Sequence, residues 1–391
     1  MLLGFPFEFY LFGMTILGIA ISSWKELSRD FEIALLGLIL LISYKFSVNF
    51  NFGHHIGNEW KSLINLLLII PGFTLMAKYF ELSGLPNLIL RFLPLNKSGP
   101  FILLVVIGFL SIFLDNIAAA LIGATIAKKI FQNKVHTGFI AAIVACSNAG
   151  GAFSVIGDTT TTMIWFHGVG QPHLIRAFIG STTSILICSY FASKQQFNFY
   201  PIQKNIDDNA KLDCIKIFSI PFIIAGAIFT NIFHDWQFPG LGVLLTLIIF
   251  IPLVGFKYEY IKHSIKKTLF LISLVSAASL LPLDEIQKFP PSQSWTFVIG
   301  VLSAIFDNIP LTKLAIDING FDFAYLAFAV GFGGSIMWFG SSAGVAILGE
   351  FSNAEEIKRG WLKNSWFIPL AYVLGFIAMC LVFNWTSFTL K

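Results

Sequence analysis

The chain has 391 residues, 56% of them hydrophobic and 12% charged, with a mean hydropathy of +0.79 and a net charge of +4. Soluble domains carry about 25% charged residues, so this composition excludes an ordinary soluble enzyme and indicates a polytopic, all-α membrane protein. The four cysteines, Cys146, Cys188, Cys214 and Cys380, lack metal-ligand spacing and lie in or beside apolar segments, so buried small side chains are expected.

The N-terminus, Met-Leu-Leu-Gly-Phe-Pro-Phe-Glu, lacks the basic region of a secretory signal, and its first apolar segment is expected to be a retained span. Apolar runs follow at about 7–22, 32–50, 62–80, 101–127, 137–166 and 173–192. A polar segment from Ser193 to Asp213 precedes a second set, at about 215–233, 239–256, 268–283, 295–316, 323–349 and 365–384. The two sets share one plan, which predicts an internal repeat: residues 1–192, a cytoplasmic linker at 193–214, and residues 215–391.

The repeat is legible residue by residue. Ile107-Gly-Phe-Leu-Ser-Ile-Phe-Leu-Asp115-Asn116-Ile117 returns as Ile299-Gly-Val-Leu-Ser-Ala-Ile-Phe-Asp307-Asn308-Ile309, identical at seven of eleven positions. A carboxylate at membrane depth costs several kcal/mol, and here it recurs. A single helix over 101–127 would be about 40 Å long, overshooting a hydrocarbon core of about 30 Å. Basic residues flank it on both sides: Arg91 and Lys97 before, Lys128, Lys129 and Lys134 after. A re-entrant hairpin over about 100–131, with Asp115 at its tip, places both clusters in the cytoplasm and satisfies the positive-inside rule. The flanks of the second stretch are poor in Lys and Arg, so its hairpin, about 295–321, is expected to enter from the opposite side. Inverted topology, ten full crossings and both termini external follow. Trp24, Trp60, Trp236, Trp295, Trp361, Trp366 and Trp385 are expected in an interfacial belt.

A second duplication follows each hairpin. Ser147-Asn148-Ala-Gly150-Gly151 leads to Gly157-Asp158 and the threonines Thr159 to Thr162; Gly333-Gly334-Ser335 leads to Gly340-Ser341-Ser342. Both carry Gly-Gly and a further Gly six positions on, at an offset of 183. These spans, about 137–167 and 323–350, are expected to be helices broken at mid-membrane, with close packing through small residues as the alternative.

Two hairpin tips and two broken helices meeting near the bilayer centre describe a secondary transporter rather than an enzyme. The carboxylates would be Asp115, Asp158 and Asp307; Asn116, Asn148, Asn308, Thr159, Ser341 and Ser342 would supply neutral oxygens. Hard cations such as sodium prefer oxygen ligands, and a carboxylate balanced between burial and a nearby cation can hold a proton instead. No other metal and no cofactor is expected. Lys313, six residues after Asp307, is either a counter-ion or a snorkelling side chain. Arg176 is read as a helix-end anchor, Glu350 as a solvated span end, and His54, His55, His167 and His173 as surface residues. No Walker-type loop is present, which excludes ATP-driven transport by this chain alone. A coupled carrier of a small anion, and a channel or sensor, stay open.

The run Asn148-Ala-Gly-Gly-Ala-Phe-Ser-Val-Ile-Gly-Asp-Thr-Thr-Thr-Thr-Met-Ile-Trp165 resembles the signature of NhaD-type sodium/proton antiporters. Phe306-Asp-Asn-Ile-Pro-Leu311 and Gly333-Gly-Ser-Ile, with Gly340-Ser-Ser-Ala-Gly-Val-Ala346, resemble its second-half counterparts. The wider group, the ion transporter superfamily, also holds arsenite permeases and dicarboxylate symporters. The resemblance implies exchange of sodium or lithium for protons, ion handling by Asp115, Asp158 and Asp307, a homodimer, and a bacterial inner membrane. The sequence departs from that pattern at Ala118, where the second half has Pro310, at Val155, where a proline is expected, and at Lys313.

Overall fold

A computed structural model describes residues 6–24, 29–85, 93–154, 157–166, 168–203, 212–232, 238–282, 290–306 and 308–388. Every regular element among them is helical. The first half comprises α1 (Phe7–Trp24), α2 (Asp30–Ser47), α3 (Phe52–Leu82), α4 (Ser98–Leu110), α5 (Asn116–Ile130), α6 (Thr137–Gly151), α7 (Thr159–Phe166), α8 (Gln171–Leu174) and α9 (Phe178–Phe199). The second comprises α10 (Cys214–Ile232), α11 (Pro239–Val254), α12 (Lys262–Ser279), α13 (Gln293–Leu302), α14 (Asn308–Ile318), α15 (Phe323–Gly333), α16 (Ser342–Leu348), α17 (Ala354–Asn364) and α18 (Phe367–Val382).

The 101–127 stretch is not one helix. It breaks at 111–115, and α4 and α5 touch each other on either side of the break. The span after it breaks between Gly151 and Thr159, and its counterpart breaks between Gly333 and Ser342. Each second segment starts where a polar side chain caps it: the Asp115 carboxylate accepts from Ile117 N at 2.8 Å, and Ser341 Oγ accepts from Gly344 N at 3.3 Å. Such caps satisfy helix-end donors that lipid cannot. Lys128 and Lys129 close the last turn of α5, complementing its dipole.

Two glycine pairs explain how these segments come together. A Cβ on Gly150 would run into the Gly108 carbonyl oxygen, and one on Gly333 would run into that of Gly300. The α4–α6 and α13–α15 crossings are therefore backbone to backbone, which only glycine permits. Further out, α5 lies on α16 and α14 on α7; α3 contacts α5 and α11, while α12 contacts α14 and α2.

Two helical segments among the described residues are long and apolar enough to cross a membrane alone, Leu63–Phe80 and Gln171–Phe199. Ala354–Asn364 with Phe367–Val382 makes a third if the 50° bend between them belongs to one span. Most other helices are apolar but shorter: α11 and α18, of 16 residues, reach about 24 Å. Large apolar side chains such as Leu17, Leu36, Phe109, Phe222, Ile249 and Leu381 face outward on these helices, as lipid contact requires.

Three expectations need correction or fall elsewhere. Cys146 and Cys188 are buried, but Cys214 and Cys380 are exposed; all four are free thiols. Trp361 is buried rather than interfacial, and its Nε1 donates to the Ser335 carbonyl at 3.4 Å. Helix α9 runs on to Phe199, past the expected start of the linker, and Lys204 to Lys211 lie outside the described residues.

Candidate functional site

The polar residues of the breaks form hydrogen-bonded chains between the halves. Asn116 Nδ2, at the start of α5, donates to Asn148 Oδ1 at 3.0 Å. Asn148 Nδ2 in turn donates to Ser335 Oγ at 2.9 Å and Ser341 Oγ at 3.0 Å, both in the second half. In the reverse direction, Asn308 Nδ2 at the start of α14 donates to Asp158 Oδ2 at 3.1 Å. Thr160 Oγ1 reaches the same oxygen at 2.9 Å. Asn116, Asn148, Asp158, Asn308, Ser341 and Ser342 are all buried, and Asp115 is half-buried, close enough to Asp158 for their charges to interact.

The breaks themselves are stitched locally. Ser154 Oγ donates to the Ile112 carbonyl at 2.7 Å, holding the α6–α7 break against the α4–α5 break. Thr161 Oγ1 contacts the Ser154 carbonyl at 2.6 Å and the Asp158 carbonyl at 2.8 Å. In the second half Ser303 Oγ donates to the Val330 carbonyl at 2.7 Å. Its counterpart, Ser111 Oγ, is buried without a hydrogen-bond partner among the described residues. A Cβ on Gly157 would lie 2.5 Å from the Ser111 carbonyl oxygen, so this residue sits beside the Asp158 segment.

Asp307 and Val155 lie outside the described residues, as do the side chains of Thr159, Lys313, His54 and His55 and the whole of His167. Ser335, Thr160 and Ser111 were not legible as site residues. Ser335 has Ala152 at the matching position, so repeat symmetry conceals it. Thr160 stands two residues after Asp158, the position where a cap accepts, which was the available signal. Ser111 is identical in both copies of the duplicated stretch, but a serine close to an acid in an apolar run carries the weaker signal.

Outside this centre, His173 and Arg176 hold Asp322 rather than lying free: His173 Nε2 and Arg176 Nη1 each approach its carboxylate at 3.2 Å. Glu350 pairs with Lys128 at 3.1 Å instead of being simply solvated.

The sequence profile of the citrate transporter family, CitMHS, matches residues 11–290, well over half of the chain. The chain belongs to that family. It is therefore an integral membrane transporter and not an enzyme. Among curated relatives of this family member, Arabidopsis thaliana sodium/proton antiporter 1 is 28% identical over 337 residues, covering 74% of this chain. The chain spans 57% of that protein's length. Sodium/proton antiporter 2 of the same plant is 26% identical, covering 74% of this chain and 79% of its own. The Na(+)/H(+) antiporter NhaD of Vibrio parahaemolyticus is 25% identical, covering 68% and 77%.

Proposed function

We propose that this transporter exchanges sodium or lithium for protons by alternating access. The observation that carries the reading is Asp158, a buried carboxylate of the first half that accepts from Asn308 of the second, with Asp115 within its field. Two acids at one buried centre favour a cation or protons there, because full ionisation without one is costly. The antiporter names of the relatives agree with this choice. Asn116, Asn148, Asn308, Ser341 and Ser342 supply neutral oxygens, Asp307 and Thr159 complete the set from the sequence pattern, and Lys313 is either a counter-ion to Asp307 or Asp158 or a snorkelling side chain.

The same reading takes 1–192 and 215–391 as inverted repeats, with re-entrant hairpins over 100–131 and 295–321. Corresponding helices take corresponding partners, α5 with α16 as α14 with α7, and α3 with α11 as α12 with α2, which supports an internal two-fold relation. Both termini external, a homodimer and a bacterial inner membrane belong to the proposal.

The family's description, citrate transporter, supports a second reading in which the passenger is a small carboxylate anion. Proteoliposomes separate the two. Sodium or lithium gradients should drive proton movement, and Asp115→Asn, Asp158→Asn or Asp307→Asn should each abolish it. Accumulation of labelled citrate without sodium-driven proton flux would overturn the exchange reading.

A further inference from the structure

Helices α5 and α16 lie side by side, and their N-terminal ends carry Asn116 and Ser341–Ser342 of the central cluster. Their C-terminal ends border a cavity of about 330 Å³. Its lining includes Thr74 and Lys78 of α3, Lys128 beside the end of α5, Ala346 and Glu350 at the end of α16, and Glu259. Thr74 and Ala346 are buried and form the floor, whereas Glu259 is exposed and marks the mouth. Ala346 follows Ser342 by one helical turn, about 6 Å. The cavity thus runs from solvent to within one turn of the central cluster.

The matching position in the other half has different surroundings. Offset by 183 residues, Ala346 corresponds to Met163. Met163 lies against a buried apolar cluster that includes Ile164, Leu311, Ala315, Leu326 and Val330, where α7 meets α14. Ala346 thus lines a polar cavity, whereas Met163 packs on an apolar cluster.

Inside the cavity, Lys128 Nζ and Glu350 Oε2 stand 3.1 Å apart, bridging α5 and α16, with side-chain exposures of 23% and 17%. The pair is part-buried at the cavity wall, where its charges are screened less than on an open surface. We propose that this cavity is the open aqueous vestibule of the transport site, that Glu350 recruits cations in it, and that Lys128 is the counter-ion a passing cation displaces. The proposal rests on the cation-exchange reading above. With Lys78 and Lys128 facing Glu259 and Glu350, the lining is balanced, so removing either member of the pair tips its sign.

Two measurements test this on the full chain in proteoliposomes. In a Cys214→Ser, Cys380→Ser background, a charged, membrane-impermeant thiol reagent should modify Ala346→Cys at least tenfold faster than Met163→Cys. Thr74→Cys reports on the same floor should Ala346→Cys fail to fold. Equal or slower reaction at both floor positions would overturn the vestibule, whatever the passenger. Separately, Lys128→Met should lower and Glu350→Gln should raise the apparent KM for sodium, each by roughly two- to fivefold for a partly exposed charge pair. A merely structural tie would shift both in the same direction and would overturn the role of Glu350. Labelling as expected with these KM shifts seen for citrate, in reversed sign, and no sodium-driven proton flux would keep the vestibule but overturn the cation reading.

Discussion

At the scale of single residues, Ser111 and Ser303 occupy the same place in the duplicated stretch but differ in what their hydroxyls do. Ser303 satisfies the Val330 carbonyl; Ser111 is buried with no partner among the described residues. A buried hydroxyl without a partner costs about 1–3 kcal/mol, whereas a typical intramolecular hydrogen bond contributes about 1 kcal/mol. Ser303→Ala should therefore lower thermal stability by about 1 kcal/mol, while Ser111→Ala should leave it unchanged or raise it. If Ser111 serves the transported ion, Ser111→Ala should instead weaken apparent sodium affinity. Melting temperatures of the detergent-purified variants, read beside their sodium KM values, check both. Asn148 offers a sharper test, because its amide joins Asn116 to Ser335 and Ser341. Asn148→Ala leaves three buried polar groups short of a partner and should cost several kcal/mol, roughly 1–3 for each. Asn148→Asp should be worse, since it replaces a donor with a charge. Asn116, Asn148, Asp158, Asn308 and Ser341 were legible in the sequence because polar residues in apolar runs stand out. Their partner Ser335 was not, because a serine beside two glycines reads as a packing residue until its neighbours are known.

At the scale of elements, the breaks matter more than the helices. The apolar runs announce helices, but only the duplicated Asp-Asn and Gly-Gly patterns announce where they stop. The close crossings at Gly108–Gly150 and Gly300–Gly333 leave no room for a side chain. Gly150→Val and Gly333→Val should each separate their crossing helices, costing about 1–3 kcal/mol or more by overpacking and abolishing transport. Reduced yield of monodisperse protein on gel filtration, with a lower melting temperature, is the expected result; wild-type behaviour would show that the crossings are looser than the backbone distances imply. Helix lengths were less legible. Helices of 16 to 18 residues such as α2, α11 and α18 fall short of about 30 Å, and sequence runs drawn to hydrophobic ends overstate their helical length.

At the scale of the molecule, the chain end is tied to the junction of the halves. The Asp322 carboxylate, wholly buried at the N-cap of α15, accepts from Thr386 N at 2.9 Å and from Thr386 Oγ1 at 3.1 Å, and pairs with His173 and Arg176. Arg176 Nη2 also donates to the Asn384 carbonyl at 2.7 Å, so the segment after α18 is clamped against both halves. Burial raises the tendency of Asp322 to protonate, but the hydrogen bonds from His173 and Thr386 and the charge of Arg176 outweigh it, holding the carboxyl below its ordinary value. A lowered carboxylate contributes stability that is full above its unfolded value and lost as pH falls through the folded one. Asp322→Asn should thus destabilise the protein at pH 6, and the gap in melting temperature should close as pH drops below about 4. A gap that persists unchanged to pH 3 would remove the carboxylate from this account.

The sequence by itself determined that the chain is membrane-embedded, that two short stretches recur in it, and which polar residues break its apolar runs. Those are consequences of local composition, since a buried acid costs too much in lipid to occur idly. Only the tertiary structure decided which half each break faces: Asn308 meets Asp158, Asn148 meets Ser335 and Ser341, and Glu350 meets Lys128 across 222 positions. It also decided that the two ends of the duplicated architecture differ, one bordering a polar cavity and the other an apolar cluster. A repeat in sequence fixes what two halves have in common, while packing against unlike neighbours sets where they diverge. Asn116 and Asn308, which match in the two copies, thereby take unlike partners, Asn148 and Asp158.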